Sequence, residues 1–179
     1  TLSEEQYAFT NQRIQELGLQ DKVHVMLRDY RDVDMTFDYI TSVGMFEHVG
    51  KENLGEYFKD VANYLVPNGR ALIHGITGQH YGAGVDPFIQ KYIFPGGYIP
   101  NIAENVTHIM EAGMQLDDIE PLRRHYQKTL ETWTENYHAV YDKTVAERGE
   151  AFARAWDLYL QGSAASFESG NIDVIQFLM

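Results

Sequence analysis

Hydrophobic and polar positions follow one another along the chain in blocks that predict a strand–helix–strand order. Phe37–Val43 is nearly continuous in apolar and β-branched residues, which favours a strand buried on both faces. In residues 51–65 the apolar side chains recur every three or four positions, as on an amphipathic helix. A turn at residues 66–69 then precedes a third apolar block at residues 70–76. This rhythm predicts βαβ units and a parallel sheet covered by helices.

The remaining elements are predicted from caps and from weaker patterns. Ser3 and Gln6 have the spacing of a capping box, which predicts a helix that runs to about Leu17 and ends at Gly18. Further strands are predicted at residues 23–27, 114–122 and 171–179, and long helices through residues 130–141 and 152–160. Residues 78–102 are rich in Gly, Pro and aromatic side chains. A segment this long between elements indicates a functional lid or insertion.

Composition narrows the class of protein. With 179 residues, 44% of them apolar, the chain is long enough for one domain with a real core. The chain has 26 acidic and 14 basic residues, which gives a net charge of −12. This charge makes nucleic acid an unexpected partner. It also disfavours strong binding of this piece alone to an anionic membrane surface. There is no Cys, so neither a disulfide nor a thiolate metal site is expected. No long apolar run or signal peptide is present, and the sequence therefore predicts a cytoplasmic protein.

Candidate chemistry follows the strand at Phe37–Val43. In open α/β sheets ligands bind beyond the carboxyl ends of the strands, and Glu47 lies there within an apolar run. Glu47 and His48 have an equally simple structural interpretation, as a helix cap and a dipole partner. His74 interrupts the block at residues 70–76 near its carboxyl end, either as a core residue or as a functional neighbour of Glu47. No paired-His spacing is present, so no metal site is predicted.

At these residues the chain resembles a known family. Residues 37–50, from Phe37 to Gly50, look like the signature stretch of the cyclopropane-fatty-acid synthases and their mycolic-acid relatives. The resemblance continues through residues 86–98, through Arg124-His125-Tyr126 and through residues 173–177, in the right order and over nearly the whole chain. Two long matched stretches in order make the resemblance specific.

The resemblance implies a fold. The family has a Rossmann-like class I S-adenosylmethionine-dependent methyltransferase sheet of seven strands in the order 3-2-1-4-5-7-6, with helices on both faces. The predicted strands correspond in chain order to the third, fourth, fifth, sixth and seventh strands of that sheet, and residues 123–167 to a helical lipid-site elaboration. Residues 1–179 are then the C-terminal portion of a single catalytic domain, truncated before its first two strands and its glycine-rich cofactor motif. Open strand edges imply a homodimer or association with the missing N-terminal part.

The resemblance also implies site residues. The residues that would contact S-adenosylmethionine are Thr1, Leu2, Gln6, Asp29, Tyr30 and Arg31. The residues that would be catalytic, and would bind a bicarbonate ion beside the sulfonium, are Glu47, His74 and Tyr126, with the backbone of Ile76 as a further bicarbonate ligand.

The implied reaction is methyl transfer to the cis double bond of an unsaturated phospholipid acyl chain, followed by closure of a cyclopropane ring with bicarbonate as the base. Such an enzyme is expected to be peripheral to the inner face of the membrane. One alternative is the same fold acting on another lipid or small-molecule acceptor, without ring closure. A second alternative is a lipid- or nucleoside-binding module without turnover, against which the combination of Glu47, His74 and Tyr126 argues.

Overall fold

The computed structural model describes residues 1–82 and 84–179. Its helices are α1 (Glu4–Glu16), α2 (Leu54–Tyr64), α3 (Pro87–Tyr92), α4 (Ile102–Glu111), α5 (Arg123–His138), α6 (Tyr141–Arg148) and α7 (Glu150–Ser169). Its strands are β1 (Phe37–Val43), β2 (Leu65–Gly78), β3 (Asp118–Pro121) and β4 (Ile172–Leu178).

The strands form one sheet in the order β1-β2-β4-β3. β1 and β2 are parallel, whereas β4 runs antiparallel to both of its neighbours, β2 and β3. This order confirms the one implied for the fourth, fifth, seventh and sixth strands. β3 is shorter than predicted, since it has four residues within the predicted range 114–122.

β2 contains the predicted turn within its own length. Leu65 lies opposite Phe37, but the next paired residue, Arg70, lies opposite Tyr39. Residues 66–69 therefore loop out of the ladder, and Asn68 there has a positive φ of 66°. The prediction of a strand that begins at residue 70 is wrong by five residues, because Leu65 already pairs with β1 before the loop.

Residues 23–27 do not form a strand in the described part of the chain, contrary to the prediction. A strand needs a partner along its length, whereas the strand-like bonds of this segment among the described residues are to Thr1. The Thr1 nitrogen donates to the Met26 carbonyl, and the Arg28 N–H donates to the Thr1 carbonyl, both at 3.0 Å. These two bonds flank Leu27 in the pattern of a parallel pair. The segment is thus extended and tied to the residues before α1.

The caps at the amino end of α1 depart in part from the prediction. Ser3 is the N-cap, and its hydroxyl accepts from the Gln6 N–H at 3.1 Å. The Gln6 side chain does not return to the Ser3 N–H; it accepts instead from the Thr1 hydroxyl at 2.7 Å. The helix ends one residue before Leu17, and Gly18 follows with a φ of 64°.

The helical part of the chain is more divided than the pattern predicts. Helix α4 was missed, although Asn101 and Glu104 form a complete capping box at its start. One helix was predicted through residues 130–141, but α5 ends at His138 and α6 begins at Tyr141. In the segment 78–102, the described residues between the end of β2 and the start of α4 form the short helix α3 and a bridge between Gly78 and Asn101. The other described residues there are irregular, as expected of an insertion.

Two cores lie on opposite faces of the sheet. The first, against α2 and α4, consists of Phe46, Leu54, Tyr57, Phe58, Val61, Ala71, Ile73, Ile109, Ile175, Phe177 and Met179. The second, between α5, α7 and β4, consists of Leu130, Tyr137, Leu160, Phe167 and Val174. Successive residues of a strand point to opposite faces, which is why neighbouring residues of β4 belong to different cores.

β1 corrects the expectation of a strand buried on both faces. Tyr39 is 76% exposed and Val43 is 70% exposed. Alternate residues of a strand point to the same face, so Tyr39 and Val43 share one face of β1, and the second core on that side of the sheet contains no β1 residue among those described. β1 is also the edge of the sheet, with β2 as its neighbour. Its apolar composition leaves an open apolar edge.

Within residues 1–82 and 84–179, no helix combines the length and the apolar composition that are needed to cross a bilayer.

Candidate active site

Glu47 is held where the β1–β2 ladder ends. The last backbone bond of the pair runs from the Gly44 N–H to the His74 carbonyl at 2.8 Å. Beyond it, the Ile76 N–H donates to Glu47 Oε1 at 2.7 Å. Ile76 is the next residue of β2 whose N–H faces β1, because strand residues alternate in direction. The Glu47 carboxylate therefore accepts the hydrogen bond that a backbone carbonyl of β1 would accept if the strand continued. Glu47 itself lies in a short 3-10 turn at Phe46–His48.

Gly75 makes room for this arrangement. A Cβ on Gly75 would lie 2.4 Å from Cε1 of Phe46 and 3.0 Å from Oε1 of Glu47. Phe46 is buried in the first core, so its ring has no free space to move into. A glycine at this position is what allows the turn with Glu47 to pack flat on the strand.

One oxygen of Glu47 is left without a partner. The side chain is only 9% exposed, and Oε2 has no hydrogen-bond partner among the described residues. A buried polar atom in this condition is costly unless a donor meets it. The geometry at Oε2 therefore fits a bound molecule that carries a hydrogen-bond donor.

Tyr126 approaches the same place from α5. Its half-buried ring packs against Phe167, with the ring centroids 5.0 Å apart, and against Trp133 at 6.3 Å. Burial raises the pKa of the Tyr126 hydroxyl, and the negative charge of Glu47 raises it further. Tyr126 thus remains a protonated hydrogen-bond donor near the carboxylate.

His74 lies two residues before Ile76 on β2, so both side chains are on the face of the second core. The ring is partly buried, and its Nδ1 is 3.3 Å from Nε2 of Gln176 on β4. The structure thus gathers four of the predicted residues, Glu47, His74, Ile76 and Tyr126, at one end of the sheet. We call these four residues the base side of the site.

A series of aromatic side chains in mutual contact runs from the turn with Glu47 to α7. His48 meets Phe94 with ring centroids 5.6 Å apart, and Phe94 meets Tyr159 at 5.9 Å. Tyr159 contacts Trp156, which stacks on Phe152, and Phe152 is 44% exposed. The spacing of Phe152, Trp156 and Tyr159 in the sequence predicts that they share one face of α7. Their contact with Phe94 could not be predicted in this way, because it depends on the fold.

The residues proposed for the cofactor lie at the start of the chain, in the first turns of α1 and in a short 3-10 turn at Tyr30–Asp32. The contacts of Thr1 with Met26, Arg28 and Gln6 bring the start of the chain beside residues 26–28. Leu2 is 73% exposed, so it offers an apolar surface to solvent.

Asp29 and Arg31 form a close ion pair in the loop that follows. Asp29 accepts from Nε of Arg31 at 3.0 Å and from Nη2 at 2.7 Å. The Arg31 guanidinium, helped by the Arg31 backbone N–H, lowers the pKa of Asp29 to about 2. Tyr30 lies between them and packs edge-on against Tyr57 at 5.8 Å. We call Thr1, Leu2, Gln6, Asp29, Tyr30 and Arg31 the cofactor side of the site.

Tyr57 lies between the two sides of the site, and this role was not predicted from the sequence. Its hydroxyl donates to Ser42 Oγ at 2.7 Å, and its ring contacts Tyr30. Burial raises its pKa to about 12; the bond to Ser42 opposes the rise and the charge of Glu47 adds to it. The amphipathic pattern of α2 shows that Tyr57 is buried, but nothing in that pattern places it between Tyr30 and Glu47.

In residues 1–82 and 84–179 there is no group of three His, Cys, Asp or Glu side chains with the geometry of a metal site.

Solved structures with a similar fold define the class of protein. One of them is mycolic acid cyclopropane synthase CmaA1 complexed with SAH and CTAB. It superposes with a TM-score of 0.86 at 30% identity, over 99% of this chain and 67% of that one. Together with the sheet order, this likeness shows the fold of a class I S-adenosylmethionine-dependent methyltransferase.

The family can be stated more narrowly. The model of the family described as mycolic acid cyclopropane synthetase matches residues 1–177, and the chain belongs to that family. Members of the family are S-adenosylmethionine-dependent methyltransferases.

Three curated relatives cover nearly the whole chain. A probable fatty acid methyltransferase of Pseudomonas putida is 42% identical over 99% of this chain and 47% of its own length. The tuberculostearic acid methyltransferase UfaA1 of Mycobacterium tuberculosis is 38% identical over 100% of this chain and 43% of its own length. The cyclopropane-fatty-acyl-phospholipid synthase of Escherichia coli is 35% identical over 98% of this chain and 45% of its own length. The chain thus spans a little under half the length of these three relatives.

Proposed function

We propose that the protein containing this chain transfers a methyl group from S-adenosylmethionine to the cis double bond of an unsaturated phospholipid acyl chain, and then closes a cyclopropane ring with bicarbonate as the base. The observation that carries the proposal is the buried carboxylate of Glu47, with Oε1 fixed on the Ile76 N–H and Oε2 without a partner. A carboxylate that served only as a cap would have both oxygens hydrogen-bonded or in solvent.

The names of the relatives support a lipid acceptor. The Escherichia coli relative is named for a fatty-acyl phospholipid, and the other two relatives are named as fatty acid or tuberculostearic acid methyltransferases. The aromatic series from His48 to Phe152 supports the same substrate class, because an apolar chain needs an apolar path from the surface to Glu47.

The base side fits a bound bicarbonate ion. The hydroxyl group of bicarbonate would donate a hydrogen bond to Glu47 Oε2. The other bicarbonate oxygens carry negative charge beside the Glu47 carboxylate, so they need hydrogen-bond donors. Tyr126 supplies an O–H that stays protonated, and His74 supplies a ring N–H. When bound, bicarbonate would supply a base for the proton that is lost as the ring closes.

The cofactor side fits the nucleoside of S-adenosylmethionine. Asp29 is ionised at neutral pH, and Arg31 lowers its pKa further, to about 2, so it offers a carboxylate acceptor. Tyr30 and the exposed side chain of Leu2 offer apolar faces for the adenine. Tyr57 positions this side relative to Glu47 through its contacts with Tyr30 and Ser42.

The chain's own side chains account for the rest of the mechanism. An alkene is a weak nucleophile, so the acyl chain must be held in line with the methyl donor, which is the task of an aromatic-lined path. The same aromatic faces stabilise the carbocation that methyl transfer creates. Burial around Glu47 excludes water, which would otherwise capture that cation.

Two further parts of the proposal concern partners. The open apolar edge of β1, with Tyr39 and Val43 exposed, supports association along this edge with an upstream part of the same protein or with a second copy. Because the proposed substrate is a phospholipid, we also propose that the enzyme is a cytoplasmic protein, peripheral to the inner face of the membrane.

A second candidate function is methylation of an acyl chain without ring closure. The relative from Pseudomonas putida, at 42% identity, is named as a fatty acid methyltransferase, and its name does not mention a ring. A binding module without turnover is disfavoured, because it would not need a buried carboxylate with a free oxygen.

The test is to express the complete gene product and examine the membrane lipids by mass spectrometry and proton NMR. Ring closure adds the mass of one methylene group to monounsaturated chains, removes the alkene signals and adds cyclopropane signals. The same mass gain with alkene signals retained supports methylation without ring closure. Expression of the Glu47→Gln variant is the control. If no acyl chain gains mass while a headgroup or a small molecule is methylated, the proposal is wrong.

A further inference from the structure

Gln176 is placed to control the chemistry of His74. The two residues lie directly opposite each other in the antiparallel pair β2–β4. Directly opposed residues have their side chains on the same face of a sheet. Nε2 of Gln176 is 3.3 Å from Nδ1 of His74, although the two residues are 102 positions apart in the sequence. Among the described residues, Gln176 is the one hydrogen-bond partner of the His74 ring.

The chemistry of this contact fixes which ring nitrogen carries the hydrogen. An amide NH2 group can only donate, and a ring nitrogen accepts only when it is not protonated. With the Gln176 amide in this orientation, Nδ1 of His74 is the acceptor and the hydrogen of the neutral ring belongs on Nε2. The hydrogen bond made by one ring nitrogen sets the role of the other.

We propose that Gln176 is a positioning residue: it holds His74 in the tautomer whose Nε2–H points a donor into the base side. This inference rests on the proposed function, since the donor is useful if an anion is bound beside Glu47. Val43, the residue opposite His74 on β1, is apolar, so it offers no competing hydrogen bond. Glu120, opposite Gln176 on β3, is exposed, so it does not replace the amide as the partner of the ring.

The first test reads the tautomer directly. The complete gene product is labelled with 15N-histidine, and the His74 signals are assigned by their loss in His74→Asn. In the wild-type protein we expect Nδ1 to give the signal of an unprotonated nitrogen and Nε2 that of an N–H. In Gln176→Glu the new carboxylate accepts a hydrogen bond, so the hydrogen should appear on Nδ1.

The matched control is Gln79→Leu. Gln79 also donates a side-chain amide bond near the β2–β4 pair, to Asp173 at 3.4 Å, but it does not contact His74. We expect this variant to keep the wild-type tautomer of His74. Thermal unfolding of all variants separates a change in the site from a loss of folding.

The second test measures turnover with S-adenosylmethionine and monounsaturated phospholipid vesicles. Gln176→Leu and Gln176→Glu should lower kcat about tenfold, the worth of one hydrogen bond. KM for S-adenosylmethionine should stay within about twofold, and Gln79→Leu should keep the wild-type kcat.

Two results would overturn the inference: a wild-type ring with its hydrogen on Nδ1, or a kcat of Gln176→Leu equal to that of wild type. Failure of the proposed function looks different. In that case the wild-type protein shows no turnover on the vesicles, while the tautomer still depends on Gln176.

Discussion

The base side and the cofactor side of the site are built in different ways. Glu47, His74, Ile76 and Tyr126 lie on β2, on the turn after β1 and on α5, where two cores meet the end of the sheet. The residues of the cofactor side lie at the start of the chain, in the first turns of α1 and in a short 3-10 turn, and are held by a few hydrogen bonds and one ion pair. Packing therefore fixes the first side, whereas local polar contacts fix the second. Substitutions should have large effects on the base side and small effects on the cofactor side.

The largest effect is expected for Gly75→Ala. The added Cβ would lie 2.4 Å from Cε1 of Phe46, which is buried and cannot move freely. Overpacking of this kind costs about 3 kcal/mol of unfolding free energy, and here it would also push Glu47 away from the Ile76 N–H. Urea denaturation measures the loss.

The control for this prediction is Gly162→Ala in α7. An added Cβ there meets nothing within 4 Å. Alanine is a better helix former than glycine, so this variant should gain up to about 1 kcal/mol. If Gly75→Ala is as stable as the wild type, then the tight packing of Phe46 against Gly75 does not fix the position of Glu47 on the base side.

A pH effect of up to the same size, confined to alkaline pH, is expected at Tyr57, which contacts both sides of the site. Burial raises its pKa to about 12 in the folded state, against about 10 when unfolded. The folded state therefore favours the neutral hydroxyl. This stabilisation is fully present below pH 10 and is lost as the pH rises through about 12.

The two-unit shift corresponds to about 3 kcal/mol of unfolding free energy. Because other tyrosines also titrate in this range, the measurement is the difference between the wild type and Tyr57→Phe, by denaturation at several pH values. The wild type should lose about that much more stability than Tyr57→Phe between pH 10 and pH 12. Parallel losses in the two proteins would mean that Tyr57 is not buried in its neutral form.

The smallest effect is expected on the cofactor side, at the ion pair of Asp29 and Arg31. Arg31→Ala should raise the pKa of Asp29 from about 2 toward its ordinary value of about 3.9. In the wild type the pair stabilises the fold above that ordinary value, and the contribution is lost as the pH falls through about 2. The unfolding temperature at neutral pH should change little, because exposed ion pairs are weak.

NMR titration of the Asp29 carboxyl measures this shift. Arg28→Ala is the matched control, since Arg28 pairs with Asp34 instead, at 2.7 Å. An Asp29 pKa that does not respond to the loss of Arg31 would show that the loop has a different conformation in solution.

The base side was more predictable from sequence than the contacts that organise it. Glu47 could be found because it follows a strand, and ligands bind beyond strand ends. The hydrogen bond between Glu47 and the Ile76 N–H could not be predicted, because it forms only where β1 has ended and β2 continues. Gln176 and Tyr57 were missed for the same reason, since their partners are distant in sequence and meet only in the folded sheet.

The errors in the predicted fold also have physical causes. The apolar composition of β1 predicted burial on both faces, but burial depends on what packs over each face, and the second core contains no β1 residue among those described. Residues 23–27 have the composition of a strand without a strand partner among the described residues. Helix α4 was predictable, because the capping box of Asn101 and Glu104 is a local signal.

The most direct test of the account compares turnover with cofactor binding in Glu47→Gln. The amide oxygen still accepts from the Ile76 N–H, so the variant changes the charge and leaves the packing in place. The measurement is kcat on monounsaturated phospholipid vesicles, beside the Kd of S-adenosylmethionine by calorimetry, both with the complete gene product. We expect kcat to fall about 10² to 10⁴-fold while the Kd stays within about twofold. Equal losses of turnover and of cofactor affinity would contradict this expectation, because Glu47 would then belong to the cofactor side.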